Sequence, residues 1–223
     1  MDFIGAFSVE NLSFLLDGLL VTLQIAVLAI VFSIIIGYIL GIIRYSKIPG
    51  ISKALGWVID IIRNLPLLLI IFFTYFALPQ IGVRLNIFWA AVAALTVFES
   101  SMISEIVRGG LEAIPNGQTE AALASGLNKK QTMWFVLLPQ AGRETLPSLV
   151  SQLIALIKDT SLATIITLPE LTHNAKIIYG QNTNYVIPMF IAMALIYFVV
   201  CYSLSRLSRY ISANLTYGKT VKG

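Results

Sequence analysis

Glu99 stands in the middle of an apolar run, with no basic residue three or four positions away on either side. A carboxylate removed from water needs a positive partner or a proton. Lys158, in a later apolar run, could supply one such charge, and a substrate ammonium could supply another. Three roles are open to Glu99: lining a path, making a structural ion pair, or packing as a protonated acid. The lining role is the expectation carried forward, with Ser100 beside it. Lys158, Asp159, Thr160 and Ser161 set two opposite charges and two hydroxyls on nearly one helical turn. That turn either neutralises itself or binds the two ends of a zwitterion. Asp60 and Arg63, three residues apart, can pair on one helix. Ser101, Ser104, Glu105 and Arg108 fall at i, i+3, i+4 and i+7, one polar stripe in which Glu105–Arg108 reads as structural. Glu99 lies about 9 Å of helix rise from Glu105 and faces another side.

Other chemistries lack their residues. The chain contains no G-x4-G-K-[S/T] loop, so it has no phosphate cradle of that type. No Ser–His–Asp or metal-hydrolase spacing is present. Cys201 is the single cysteine and His173 the single histidine, which leaves neither an intrachain disulfide nor a Cys/His metal cluster to build. Cys201 reads as a small packing residue, and His173 falls in a connecting loop.

The elements that must hold these residues are membrane helices. Hydrophobic residues make up 57% of the chain and charged residues 12%, and the mean hydropathy is +0.85. A helix needs about 20 apolar residues to cross a bilayer. Five stretches approach this: Leu19–Ile43, Leu55–Leu78, Ile87–Val107, Leu146–Leu168 and Val186–Leu204. Nothing between them is long enough for a separate soluble domain, so residues 1–223 read as one all-α integral membrane domain. Residues 1–18 contain Asp2, Glu10 and Asp17 but no Lys or Arg, unlike the positive start of a secretory signal, so the first run is expected to stay as a membrane helix. Gly37 and Gly41 form a small-xxx-small pair suited to close packing in lipid. Pro66 predicts a kink or break in the second span near Arg63. The fifth span, without charge from Val186 to Leu204, reads as lipid-facing or scaffold.

Basic residues set orientation in such a chain. Arg44, Lys47, Lys53, Arg108, Lys129, Lys130, Arg143, Arg206, Arg209, Lys219 and Lys222 gather on one face, against Arg84 and Lys176 on the other. This bias of eleven to two predicts the N-terminus outside, and the C-terminus and the 110–139 loop in the cytoplasm. The net charge of +4 follows from that bias. The positives are spread over several short loops, so no nucleic-acid partner is expected.

Inside the loop, Glu120 to Pro139 reads EAALASGLNKKQTMWFVLLP. Ala and Leu favour a helix, and Gly126 can end it with positive φ. Glu120-Ala121-Ala122, then Gly126, then nine residues, then Val136, Leu138 and Pro139 resembles the EAA-x3-G-x9-I-x-LP loop of ABC importer permeases, with Val136 in place of Ile. Arg63-Asn-Leu-Pro66, Ser104-Glu-Ile-Val-Arg108-Gly-Gly, Leu138-Pro-Gln140 and Lys158-Asp-Thr-Ser161 are similar to the polar amino acid branch of that family. The motifs cover about residues 60–170.

The resemblance implies a type I importer fold: five spans, with a cytoplasmic coupling helix between the third and fourth. It implies a non-enzymatic transport subunit in a bacterial cell (inner) membrane, moving a polar amino acid, with a lean to acidic or amide side chains such as glutamate, glutamine or aspartate. Partners implied are two cytosolic ATPases that bind ATP and Mg, a second permease (identical or homologous), an extracellular amino acid-binding protein and the surrounding lipid. This chain would need no cofactor. Glu120, Ala121, Ala122, Gly126 and Leu127 would contact the ATPase. Glu99, Ser100, Arg63, Lys158, Asp159, Thr160 and Ser161 are the candidate substrate residues. An ion-coupled secondary transporter using Glu99 or Asp159, or a structural membrane subunit, are the competing readings from other classes.

The topology is tested with Asn128→Cys and Ser8→Cys, made singly in a Cys201→Ala background. In intact cells an impermeant thiol reagent is expected to label residue 8 and spare residue 128; labelling of 128 from outside reverses the orientation.

Overall fold

A computed structural model describes residues 1–217, with side chains to Tyr210. Lys219 and Lys222, counted above among the inner positives, lie outside the described residues. After a short turn of helix, α1 (Phe3–Ala6), the chain enters α2 (Val9–Tyr45), whose N-cap Ser8 accepts a hydrogen bond from the Asn11 amide. At 37 residues, α2 is longer than a bilayer core requires and begins ten residues before the apolar run. The described helices α5 (Ile87–Glu112), α8 (Leu138–Asp159) and α10 (Val186–Tyr217) supply further crossings. The α8 crossing starts earlier, at Lys129, because α7 (Lys129–Thr132) and a π-turn at Met133–Leu137 run straight into it.

The second span is broken. Helix α3 (Ile51–Asn64) and the segment from α4 (Leu67–Phe72) through Ile81 meet at 104°. Leu65 is extended at φ −87° and ψ 142°, the conformation a following proline imposes. Pro66 therefore makes a full corner where a kink was the milder expectation. The Asn64 side chain donates to the Asp60 carbonyl at 2.7 Å, one turn back on its own helix.

At the centre lies α5: 61% of its most apolar window is buried, against 22–33% for the other three long helices. Against it runs one face of α2 made of small residues, Ala26, Ala29, Ser33, Gly37 and Gly41, all buried. Without a hydrophobic force between helices in lipid, small side chains let backbones approach and gain dispersion contacts. A Cβ on Gly37 would come within 2.6 Å of Ile103, and one on Gly41 within 2.8 Å of Val107. The opposite face of α2 exposes Val27, Val31, Ile35 and Ile39.

Three apolar clusters stack along the bundle. Ile25, Ile71, Leu95, Leu156 and Ile166 form the middle one. Leu15, Leu171 and Met189 form one toward the N-terminus of α2. Ile103, Val107, Leu111 and Leu137 form the one toward its C-terminus. The connection expected as a loop around His173 is a helix, α9 (Leu171–Gln181), folded against α2 and α10.

Gly41→Leu is expected to cost about 1–3 kcal/mol by forcing α2 off α5, seen as a lower melting temperature in detergent. Ile39→Leu, on the exposed face of α2, should leave the melting temperature unchanged.

Candidate functional site

Four polar groups interrupt this apolar frame. In the middle of α5, Glu99 is 1% exposed. Its Oε2 accepts a hydrogen bond from Gln152 Nε2 of α8 at 3.2 Å, while Oε1 has no partner among the described residues. One turn away, the buried Thr96 hydroxyl is also unpartnered, and Ser100 Oγ donates to the Thr96 carbonyl at 2.6 Å. Buried polar atoms nearly always find partners, so this spot has unmet hydrogen-bonding capacity.

Lys158 does not supply the expected charge. Helix α8 runs antiparallel to α5, so Lys158 sits six residues, about 9 Å of rise, beyond Gln152 and is rotated by roughly 600°. Its side chain is exposed and borders an open depression on α10 with Tyr197 and Cys201. The α-helix ends at Asp159, and Thr160 and Ser161 begin a 3-10 segment that continues to Ile166. The four residues therefore do not share one α-helical turn. Thr160 Oγ1 donates to the Ile157 carbonyl and Ser161 Oγ to the Lys158 carbonyl, each at 2.7 Å, tightening the junction. Gln152 was missed in the sequence; an amide inside the Leu149–Ile157 apolar run is the signal that could have found it.

Toward the inner end, Glu105 is a hub. It accepts from Arg44 of α2 at 2.7 Å and from its own helix's Arg108, and Arg63 of α3 stands 3.3 Å away. Arg108 also pairs with Glu112 at 2.6 Å. Asp60 lies 3.8 Å from Arg44 and 3.9 Å from Arg63. Three guanidinium groups thus balance three carboxylates across α2, α3 and α5. The structure brings Arg63 into this cluster and not to Glu99.

The EAA segment folds as α6 (Asn116–Ala124). The Gly126 amide donates to the Leu123 carbonyl and the Leu127 amide to the Ala122 carbonyl, closing the helix with Gly126 at φ +89°. Glu120, Ala121 and Gly126 are exposed, Leu127 is half-buried, and Ala122 is turned inward at 7% exposure. Of the two alanines, only Ala121 faces outward for a close approach.

The fourth group escaped sequence reading. Glu170 is fully buried and caps α9, accepting from the Thr172 amide at 2.8 Å and the His173 amide at 2.7 Å. Tyr197 of α10 reaches it at 3.4 Å. The Leu171 amide donates to Thr22 Oγ1, and Asn174 Nδ2 to the Phe14 carbonyl, so α2, α9 and α10 meet here. Burial pushes the Glu170 carboxyl up to about 7, against the pull of its donors.

The profile of a family described as "Binding-protein-dependent transport system inner membrane component" matches residues 33–217. The chain is 54% identical over 218 residues, 97% of its length and 100% of the relative's, to the "Probable glutamine ABC transporter permease protein GlnP" of Bacillus subtilis (strain 168). It is 34% identical to the "Arginine transport system permease protein ArtQ" of the same organism, covering 93% of this chain and 95% of that one. Its backbone superposes on a crystal structure of "an amino acid ABC transporter with histidines" with a TM-score of 0.87 at 31% identity, covering 96% of this chain and 99% of that one.

Because the folded Glu170 value lies above the 4.5 of an ordinary glutamate, its stabilising contribution is complete below pH 4.5 and is lost as pH rises through 7. His173, whose basicity burial lowers, acts in the opposite sense near neutrality. The readout is therefore wild type minus Glu170→Gln, which keeps an oxygen for the backbone amides. From pH 5.5 to 8 that difference is expected to shift against wild type by about 2 kcal/mol, followed as melting temperature.

Proposed function

Because the chain belongs to the inner membrane components of binding-protein-dependent transport systems, we propose that it forms the translocation path for a polar amino acid, with glutamine or a related acidic or amide side chain as substrate. Its similarity to amino acid permeases makes it an amino acid ABC transporter permease. The observation that carries the substrate path is Glu99, a buried carboxylate with one oxygen held by Gln152 and the other without a partner among the described residues. A substrate ammonium completes it with a charge-assisted bond. Gln152 supplies an amide able to donate and accept, as a carboxamide or carboxylate requires. Ser100 lies on the same helix, and the Asp159–Ser161 turn stands further along the path. Arg63 acts in the Glu105 cluster, and Lys158 lies to one side. The 54% identity to a probable glutamine permease supports the amide lean.

Transport is driven from the other end. Two cytosolic ATPases carrying ATP and Mg receive the exposed Glu120 and Ala121 face of α6 in each of two permease copies, and a binding protein delivers substrate from outside. The chain sits in a bacterial cell membrane with its N-terminus outside and its C-terminus in the cytoplasm. No step is catalysed by this chain; it converts closure of the ATPases into rearrangement of α5 against α8.

The test reconstitutes the permease with its ATPase and binding protein in vesicles. Glu99→Gln should keep assembly and basal ATPase but weaken apparent glutamine affinity at least tenfold, since a bond to a charged group contributes roughly 1.5–3 kcal/mol. Gly126→Val should retain insertion yet lose ATPase co-purification, because a branched residue resists positive φ whatever the space around it. Full uptake by Glu99→Gln removes the substrate assignment; normal ATPase binding by Gly126→Val removes the coupling assignment.

A further inference from the structure

Beside α6, on the end of the bundle that carries the basic loops, lies a cavity of about 600 Å³ whose lining includes neither Glu99 nor Gln152. Its walls come from the end of α2, from α6 and from α7. Lys47, Lys129 and Lys130 line it, and among the described residues none has an acidic partner within 4.0 Å. The acid on its wall, Glu112, is already paired with Arg108 at 2.6 Å. The cavity is therefore cationic. A second feature points inward: Thr132 lines it, is 2% exposed, and its hydroxyl has no hydrogen-bond partner among the described residues. A buried hydroxyl without a partner in a cationic cavity fits an anion with several acceptor oxygens.

The rim selects among anions. Trp134, 63% exposed, lines the mouth, and Phe135 beside it is 71% exposed. Exposed aromatic side chains of this kind settle at the level of lipid headgroups. Basic pockets at the cytoplasmic ends of membrane helices hold anionic headgroups for the same electrostatic reason. We propose that this cavity binds the phosphate of an anionic phospholipid from the inner leaflet, with Lys47, Lys129 and Lys130 supplying charge and Thr132 a hydrogen bond. The lipid would wedge between α2 and the α6–α7 connection, at the root of the coupling helix.

The experiment uses the whole transporter, permease with its ATPase, in nanodiscs of phosphatidylcholine with or without phosphatidylglycerol. Native mass spectrometry counts phosphatidylglycerol retained per permease, a readout independent of substrate or uptake. Each Lys→Gln change at 47, 129 or 130 is expected to weaken retention about fivefold, from roughly 1 kcal/mol per basic residue near an anionic surface. Lys→Arg at each position should preserve it. Thr132→Val should weaken retention without altering charge, and it serves if the triple lysine variant fails to fold. Retention unchanged in the folded triple variant overturns the proposal. Displacement of the lipid by millimolar inorganic phosphate reassigns the cavity to a soluble anion. Retention by the permease alone but not by its ATPase complex shows that the partner fills it.

Discussion

Close approach of α2 and α5 is the constraint on which the rest depends. Lipid gives two apolar helices no reason to prefer each other over acyl chains, so contact must come from shape. The α2 face from Ala26 to Gly41 offers no side chain larger than a serine, and Ile103 and Val107 occupy the space the two glycines leave. That fit fixes the axial register of α5, and every polar group on α5 inherits its depth from it. The same face continues upward through Thr22 and Gly18 to a different partner. There it receives the Leu171 amide and the Asn174 side chain of α9. One stripe thus serves two helices, the central one along most of its length and the outer one at its end.

Given that register, two carboxylates six residues apart meet opposite surroundings. Glu105 is drawn into a cluster where every charge has a counter-charge, and part of it stays wet, since the Asp60 side chain is 59% exposed. Pairs so placed contribute modestly to stability, about 0–1 kcal/mol each. Their larger effect is geometric: they hold α3 against α2 and α5 just before the Pro66 corner. Among the described residues Glu99 accepts a hydrogen bond only from an amide, that of Gln152. The contrast is one of donor count, three arginines against a single glutamine, and it separates a fastening group from one with capacity to spare.

Much of this was legible in the residues. Gly37 and Gly41 announce a close contact by their spacing, Pro66 announces a break, and Gly126 announces the end of a helix; each acts through local sterics that sequence carries in full. The depth and isolation of Glu99 were equally readable. Its partner was not, because whether Gln152 or Lys158 meets it depends on how far α8 slides along α5, and that offset is set by the Met133–Leu137 π-turn and by contacts such as Gly110 on Thr145. Arg63 was read only in part for a related reason: the expected Asp60 pair is present at 3.9 Å, and a nearer carboxylate, Glu105, joins it at 3.3 Å. The i, i+3 rule sees Asp60, while the stronger neighbour comes from another helix. Glu170 left no trace, since a glutamate after a proline in a short connection looks solvent-exposed until α9 folds down over it.

The nearly unbroken helical path from Lys129 to Ile166 has a mechanical consequence. It begins at the foot of α6 and passes Gln152 on its way through the bundle, so the two points are joined by a stiff rod of about 35 Å. A rod of that length tilted by about 5° carries its far point sideways by about 3 Å. The Gln152–Glu99 hydrogen bond is 3.2 Å long, so a rotation that small at the base suffices to make or break it. Angular gain along a single helix can therefore turn a slight rocking in the cytoplasm into a change of hydrogen-bond partner at the centre of the membrane.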